Sequence, residues 1–130
     1  MLSSSRAILL NSTPMENLPV DFPVFEPGSV WLVGAGPGDP GLISLAGLHA
    51  LQNADVIIYD ALVGDEVLKL AGHEAVQEYA GKRGGKPSPK QADITERLIQ
   101  LARNNRRVLR LKGGDPLVFG RGAEECFRLI

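Results

Sequence analysis

The chain has 130 residues, of which 44% are hydrophobic and 22% charged, enough apolar material for one packed domain. Its 14 basic and 15 acidic residues give a formal net charge of −1, and only 5% of the residues are aromatic. The balanced charge argues against nucleic acid as a bulk electrostatic partner, and the low aromatic content argues against a base-stacking surface. A single cysteine, Cys126, excludes an internal disulfide and a multi-cysteine metal site.

The amino-terminal stretch contains scattered prolines and no sustained apolar periodicity. We therefore predict a flexible leader over residues 1–27 and a folded domain over residues 28–130, divided at Pro27-Gly28. No apolar run reaches the length of a membrane-spanning helix, and the run Ala7–Leu10 is too short for a signal peptide. These features favour a cytoplasmic protein with no membrane partner.

Short apolar runs alternate with segments of helical spacing along the predicted domain. The predicted strands are Val30–Val33, Val56–Tyr59, Ala75–Ala80 and Val108–Leu111, and the predicted helices span residues 42–53, 65–71 and the segment between a Ser88 cap and Asn104. This alternation predicts an α/β fold, a parallel sheet flanked by helices. Because the chain stops at Ile130 inside another predicted helix, we expect it to be the amino-terminal part of a longer protein.

A glycine- and proline-rich loop, Gly34–Gly41, follows the first predicted strand and precedes a helix, as a phosphate-binding turn does. It departs from the dinucleotide fingerprint G-x-G-x-x-G because Asp39 stands at the third glycine position, and it lacks the Gly-Lys-Ser/Thr of a Walker A loop. Pro37 also removes a backbone N–H that a pyrophosphate would need. The loop is therefore either a tight turn between strand and helix or a segment that approaches a ligand closely, and that ligand is not anionic.

The segment Arg110–Glu125 ends the fourth predicted strand with Gly113, Gly114, Asp115 and a proline. A glycine pair exposes backbone N–H and C=O groups that no side chain shields. Since ligands bind at the carboxyl ends of strands in parallel α/β sheets, this segment predicts a site that holds a small molecule by its backbone.

Charged groups follow two other predicted strands. Asp60 comes directly after the second strand, where it either caps the next turn or faces the cleft as a base or hydrogen-bond acceptor. The loop after the third strand is either a solvated surface loop or a site for an anionic substrate; its basic residues are Lys82, Arg83, Lys86 and Lys90. His49 and His73 have no partners at metal-ligand spacing, so we predict no metal site.

Four segments occur together in a characteristic order and spacing: Gly34–Ile43, Tyr59-Asp60, Gly81–Gly85 and Arg110–Glu125. With this combination the chain resembles the tetrapyrrole methylases over residues 28–130, and within that family the uroporphyrinogen-III C-methyltransferases. The resemblance implies a two-domain enzyme, usually a homodimer, in which S-adenosyl-L-methionine lies between two α/β domains. This chain resembles the first domain only, in a fold distinct from that of the Rossmann-type methyltransferases.

The resemblance also implies a reaction and a role for particular residues. Two methyl groups pass from S-adenosylmethionine to ring carbons of uroporphyrinogen III, and the product, precorrin-2, leads to sirohaem and cobalamin. Asp60 is then the proton acceptor and Lys82 the proton donor. The positions that match cofactor contacts are Pro37, Gly113, Gly114, Asp115 and Val118. The substrate is a polycarboxylate, so its negative charge would also account for the basic residues Arg83, Lys86 and Arg121.

Two positions depart mildly from the family pattern, Leu117 in place of a common aromatic residue and Ala123 in place of a second glycine. The family's remaining cofactor residues would lie beyond Ile130, so we expect little or no methyltransferase activity from the isolated chain. The alternatives are a methylase that acts on a later precorrin, a non-catalytic fragment of the enzyme, and a dinucleotide-binding domain.

Overall fold

The computed structural model describes residues 21–81, 91–114 and 118–122. In chain order these residues form β1 (Ser29–Gly34), a 3-10 turn (Pro40–Leu42), α1 (Leu45–Asn53), β2 (Val56–Tyr59), α2 (Asp65–Leu68), β3 (Val76–Tyr79), α3 (Gln91–Arg103), β4 (Arg107–Lys112) and β5 (Val118–Gly122). Within this part of the chain, no helix is long and apolar enough to cross a membrane.

The strands form one sheet in the order β3-β2-β4-β1-β5. The first four are parallel, which confirms the predicted α/β class and its parallel sheet. The fifth strand runs antiparallel to β1, with Ser29 opposite Gly122 and Val33 opposite Val118. It was not predicted, because two of its five residues are glycine and strand propensity is weak there. Pairing with the edge of β1 accounts for the strand.

Helices cover both faces of the sheet, as parallel strands require. On one face, α1 and α2 pack on the sheet around Ile57, Leu109 and Leu111. On the other face, α3 packs on Val30, Val56, Ile58 and Val108. Successive residues of a strand point to opposite faces, so position 110 of β4 falls on the α3 face beside Ile58.

The first helix begins three residues later than predicted. The Ser44 Oγ accepts a hydrogen bond from the Gly47 N–H at 3.0 Å and caps α1 at Leu45. The preceding Pro40–Leu42 turn is capped in the same way by the Asp39 Oδ1, which accepts from the Gly41 N–H at 2.8 Å. The Asp39 carboxylate is therefore engaged by its own loop.

The predicted leader over residues 1–27 lies outside the described residues up to position 20. In its last seven residues, Phe25 is only 3% exposed and stacks on Trp31 with ring centroids 4.7 Å apart. The Arg107 Nε also donates to the Phe25 carbonyl at 2.7 Å. The packed part of the chain thus includes Phe25, just before the Pro27-Gly28 division.

Candidate ligand site at the carboxyl edge of the sheet

The carboxyl ends of β2, β4 and β1 lie side by side, because these strands are neighbours in the sheet. Two backbone hydrogen bonds join the loop after β1 to the loop after β4. The Ala35 N–H donates to the Lys112 carbonyl at 2.7 Å, and the Gly114 N–H donates to the Gly36 carbonyl at 3.0 Å. The glycine loop and the Gly113-Gly114 pair, 78 residues apart along the chain between Gly36 and Gly114, therefore form one surface.

The backbone of this surface is shaped for glycine. Gly36, Gly38 and Gly114 have φ angles of +77°, +109° and +107°, in the left-handed region that other L-residues rarely adopt. Among the residues that the structure describes, a Cβ placed on Gly38 or Gly114 would meet no atom within 4 Å. Both positions border open space, so a ligand is able to approach the backbone directly.

The loop after β2 closes on the loop after β4. A Cβ on Gly113 would lie 2.5 Å from the Leu62 Cβ and 2.9 Å from the Leu62 carbonyl oxygen. Position 113 requires glycine because Leu62 lies too close for a side chain. Position 114 favours glycine because its φ is positive. The Leu62 side chain remains 75% exposed, so its apolar surface faces outward at this edge.

The Asp60 carboxylate is held by two groups. Its Oδ1 accepts a hydrogen bond from the Leu62 N–H at 3.0 Å, which is the turn-capping interaction that the sequence allowed. Its Oδ2 lies 3.5 Å from an Nη2 of Arg110 in an ion pair. Asp60 therefore caps its turn and also belongs to a charged pair at the carboxyl edge of the sheet.

Arg110 was not singled out from the sequence, although it begins the segment on which the site was predicted. Its side chain is 7% exposed, and its Nη1 donates to the carbonyls of Leu111 at 3.1 Å and Ile58 at 3.4 Å. Burial lowers the pKa of the Arg110 guanidinium from its ordinary value, and the Asp60 carboxylate partly offsets that shift. The signal in the sequence was a charge inside the apolar run Val108–Leu111 of a buried strand.

The predicted site residues that the structure describes fall at this edge. Pro37 is exposed in the loop after β1, Gly113 and Gly114 follow β4, and Asp60 follows β2. Val118 begins β5 and pairs with Val33, one residue before the end of β1. Lys82, Asp115 and the remaining basic residues of the 82–90 loop lie outside the described residues.

Arg121 is placed away from this edge. In the register of β5 it pairs with Val30, near the amino end of β1. Three residues separate Val30 from Val33, which corresponds to about 10 Å along a strand. The Arg121 backbone therefore lies nearer the amino end of β1 than the surface formed by Gly36 and Gly114 does.

A cleft of about 540 Å³ lies at the opposite, amino edge of the sheet, beside His49, His73 and Arg107. The His49 ring stacks on Phe22 at 5.0 Å, and its Nε2 lies 3.1 Å from the carbonyl of Pro23. Among the described residues, no group of three or more His, Cys, Asp and Glu side chains is arranged to hold a metal ion.

The architecture is that of an α/β domain with a mostly parallel sheet and a candidate site lined by backbone at the carboxyl edge of that sheet. The family model of the tetrapyrrole (corrin/porphyrin) methylases matches residues 29–129. This protein therefore belongs to the tetrapyrrole methylase family.

Two curated relatives show where in the family the chain lies. It is 63% identical over 116 residues to a uroporphyrinogen-III C-methyltransferase of a Sinorhizobium species, a match that covers 89% of this chain and 41% of the relative. It is 56% identical over 98 residues to a siroheme synthase of Actinobacillus pleuropneumoniae, covering 75% of this chain and 20% of the relative. The chain thus spans less than half the length of these proteins.

Solved structures of the family share the fold. The uroporphyrin-III C-methyltransferase of Thermus thermophilus matches with a TM-score of 0.59 and 47% identity, over 77% of this chain and 41% of that one. A complex of that enzyme with S-adenosylhomocysteine matches with a TM-score of 0.58 and 48% identity, over 77% and 42%. A cobalt precorrin-4 methyltransferase matches with a TM-score of 0.56 and 31% identity, over 67% and 34%.

Proposed function

We propose that this chain forms one wall of the active site of an S-adenosylmethionine-dependent methyltransferase that converts uroporphyrinogen III to precorrin-2. The observation that carries the proposal is the backbone surface formed by Gly36 and Gly114, with open space above Gly114. This surface occurs in a chain 63% identical to a uroporphyrinogen-III C-methyltransferase.

The residues at the carboxyl edge fit S-adenosylmethionine better than a dinucleotide. The cofactor has no phosphate, so it does not need the backbone N–H that Pro37 lacks. It does need close approach to backbone groups, and a side chain at Gly114 would occupy that space. We propose that Pro37, Gly113, Gly114, Asp115 and Val118 hold the cofactor, of which Asp115 lies outside the described residues.

The bound cofactor supplies an electrophilic methyl group on a sulfonium sulfur. Methylation of a ring carbon would leave the substrate with a proton that has to be removed. We propose that the Asp60 carboxylate accepts that proton and that Lys82, outside the described residues, donates one. The main contribution of the chain is alignment of the reacting groups, which can supply about 7–11 kcal/mol.

Further properties of the enzyme follow from the family resemblance. We propose that it acts as a homodimer in the cytoplasm, on a tetrapyrrole substrate and without nucleic-acid or membrane partners. We also propose that the isolated chain has little or no activity, because it spans 41% of the Sinorhizobium relative.

The test compares this chain alone with a fusion in which the segment of the Sinorhizobium enzyme that follows the matched 116 residues is joined to it. Transfer of tritium from methyl-labelled S-adenosylmethionine to uroporphyrinogen III is measured, together with S-adenosylhomocysteine binding by calorimetry. We expect methyl transfer by the fusion and little or none by the chain alone. A fusion that is folded and binds S-adenosylhomocysteine but does not methylate uroporphyrinogen III would refute the proposed substrate.

Two other functions are distinguished when the assay is repeated with a later precorrin and the calorimetry with NAD or NADP. The 31% identity to a cobalt precorrin-4 methyltransferase favours, as a second candidate, methylation of a later precorrin, and such a fusion would methylate that substrate instead. A dinucleotide-binding domain would bind NAD or NADP and not S-adenosylhomocysteine.

A further inference from the structure

Arg110 connects the carboxyl ends of β2 and β4, the central strand of the sheet and one of its neighbours. It lies on β4 opposite Ile58 of β2, and its Nη1 donates to the carbonyls of Ile58 and Leu111. Its Nη2 lies 3.5 Å from the Asp60 Oδ2, directly after β2. One buried side chain therefore contacts both strands at the point where the two loops of the candidate site begin.

Stability alone does not explain a cation at this position. A buried guanidinium loses its hydration, and replacing a buried ion pair by apolar residues of similar volume is often neutral or stabilising. Val108, on the same face of β4, is fully buried and apolar, as expected for this part of the core. The gain from Arg110 is geometric, because a planar guanidinium fixes its acceptors in direction as well as in distance.

We propose that Arg110 is a positioning residue that sets the orientation of the Asp60 carboxylate. The Arg110 guanidinium holds Oδ2, and the Leu62 N–H holds Oδ1 at 3.0 Å, so the plane of the carboxylate is determined by two independent partners. Leu62, which donates to Asp60, is also the residue that closely approaches Gly113. This inference rests on the proposed function, in which Asp60 accepts a proton from the substrate.

The chain offers a matched control on the same strand. Arg107, at the amino end of β4, lies 3.5 Å from the Asp55 Oδ2, the same separation as in the Arg110–Asp60 pair. Asp55 directly precedes β2, as Asp60 directly follows it. Substitution of Arg107 therefore removes an Arg–Asp pair between the same two strands without touching the carboxyl edge.

The first experiment uses the 130-residue chain with 13C-labelled aspartate and 15N-labelled backbone. We expect Arg110→Met to move the Asp60 carboxyl resonance and to speed hydrogen exchange of the Leu62 amide at least tenfold. In Arg110→Lys both signals should lie between those of Arg110→Met and those of the unaltered chain, since an ammonium group can reach one carboxylate oxygen. Arg107→Met should leave both signals as they are in the unaltered chain.

The proposal is wrong if folded Arg110→Met leaves both signals unchanged, or if Arg107→Met moves them equally. If Arg110→Met does not fold, Arg110→Gln is compared with Arg110→Lys, because glutamine retains donors for the two carbonyls and lacks the charge. Equal signals in those two variants would also overturn the proposal.

The second experiment separates positioning from the proposed function. In the fusion, Arg110→Lys should lower kcat at least tenfold with little change in KM, whereas Arg107→Met should leave kcat unaltered. If the unaltered fusion binds no S-adenosylhomocysteine and transfers no methyl group, the proposed function fails, and the resonance of Asp60 still decides whether Arg110 orients it. A rise in KM with unaltered kcat would instead make Arg110 a binding residue and overturn its positioning role.

Discussion

The two edges of the sheet carry similar residues and use them differently. At the amino edge, Arg107 and Asp55 have side chains that are 37% and 33% exposed, and the Asp55 Oδ2 also accepts from the Arg107 N–H at 2.7 Å. At the carboxyl edge, Arg110 and Asp60 are 7% and 22% exposed. The first pair closes the start of two strands in contact with water, whereas the second holds a carboxylate beside loops that expose their backbone.

The glycines show the same difference. Gly28, at the amino edge, has a φ of +83°, and a Cβ there would contact the Ala102 carbonyl at 3.4 Å and the Asn105 side chain at 3.5 Å. Gly114 has a φ of +107°, and a Cβ there would meet no atom of the described part of the chain within 4 Å. The protein fills the space around its amino-edge turn and leaves the carboxyl-edge turn open.

Volume alone would favour the edge opposite the proposed site. The cleft of about 540 Å³ lies at the amino edge, yet several polar groups on its wall are bonded to the protein itself. Arg107 is held by Asp55 and the Phe25 carbonyl, and His49 by the Pro23 carbonyl. The chemistry of a site depends on which groups remain available to a ligand, and at the carboxyl edge the backbone at Gly38 and Gly114 borders open space among the described residues.

The largest effect is expected on turnover, when the aspartates that flank β2, Asp60 and Asp55, are each replaced by asparagine. In the fusion, Asp60→Asn should reduce turnover about 10²–10⁴-fold, the usual contribution of a positioned acid or base, and leave S-adenosylhomocysteine affinity unchanged. The asparagine Oδ1 still accepts from the Leu62 N–H, so the turn is retained. Asp55→Asn serves as the control and should not alter turnover. Ordinary turnover by Asp60→Asn would leave Asp60 with its turn-capping role only.

The next largest effect is expected on the stability of the 130-residue chain, when Arg110 and Arg107 are each replaced by methionine. Arg110→Met should lower the free energy of unfolding by about 3 kcal/mol, the low end for a broken buried pair, because Asp60 keeps some exposure. Arg107→Met should cost about 1–2 kcal/mol, since its exposed pair contributes little and one hydrogen bond to Phe25 is lost. Denaturant titration measures both. Equal losses would show that the two pairs do not differ in burial as the structure has them.

A third comparison concerns close backbone approaches at the two edges. Gly113→Ala would place a Cβ 2.5 Å from Leu62, and Gly72→Ala would place one 3.0 Å from the Gln52 carbonyl at the amino edge. Gly113→Ala must shift the loop at Leu62, whereas Gly72→Ala requires the Gln52 carbonyl of α1 to give by a few tenths of an ångström. Only the shift at Leu62 should reduce turnover of the fusion, by roughly 10²-fold for a displacement near 1 Å. A similar loss in Gly72→Ala would mean that turnover follows general distortion of the domain.

The smallest effect compares the two positive-φ glycines. Gly114→Ala and Gly28→Ala should each lower stability by roughly 1–2 kcal/mol, because alanine is strained in the left-handed region. Only Gly114→Ala should also weaken S-adenosylhomocysteine binding to the fusion, about tenfold, as calorimetry would measure. Unchanged affinity would argue against a ligand held by the backbone at this position.

Much of the fold could be read from local patterns. The run Val56–Tyr59 has the same bounds in the sequence prediction and in the structure, because an aspartate stands at each end of it. The start of α1 was displaced because Pro40 and Asp39 favour a separate capped turn, which helical spacing alone does not reveal. The fifth strand was missed because its glycine-containing segment becomes a strand only by pairing with β1.

For the candidate site, too, some features follow from local sequence and others only from the tertiary structure. The sequence by itself determined where glycines and charges stand relative to strand ends, since these depend on the residue type and the apolar runs next to them. Only the tertiary structure decided that Gly36 meets Gly114, that Leu62 lies on Gly113, and that Arg110 reaches Asp60. Those contacts join segments about 50 to 80 residues apart, and they follow from the order of the strands in the sheet, which local spacing does not encode.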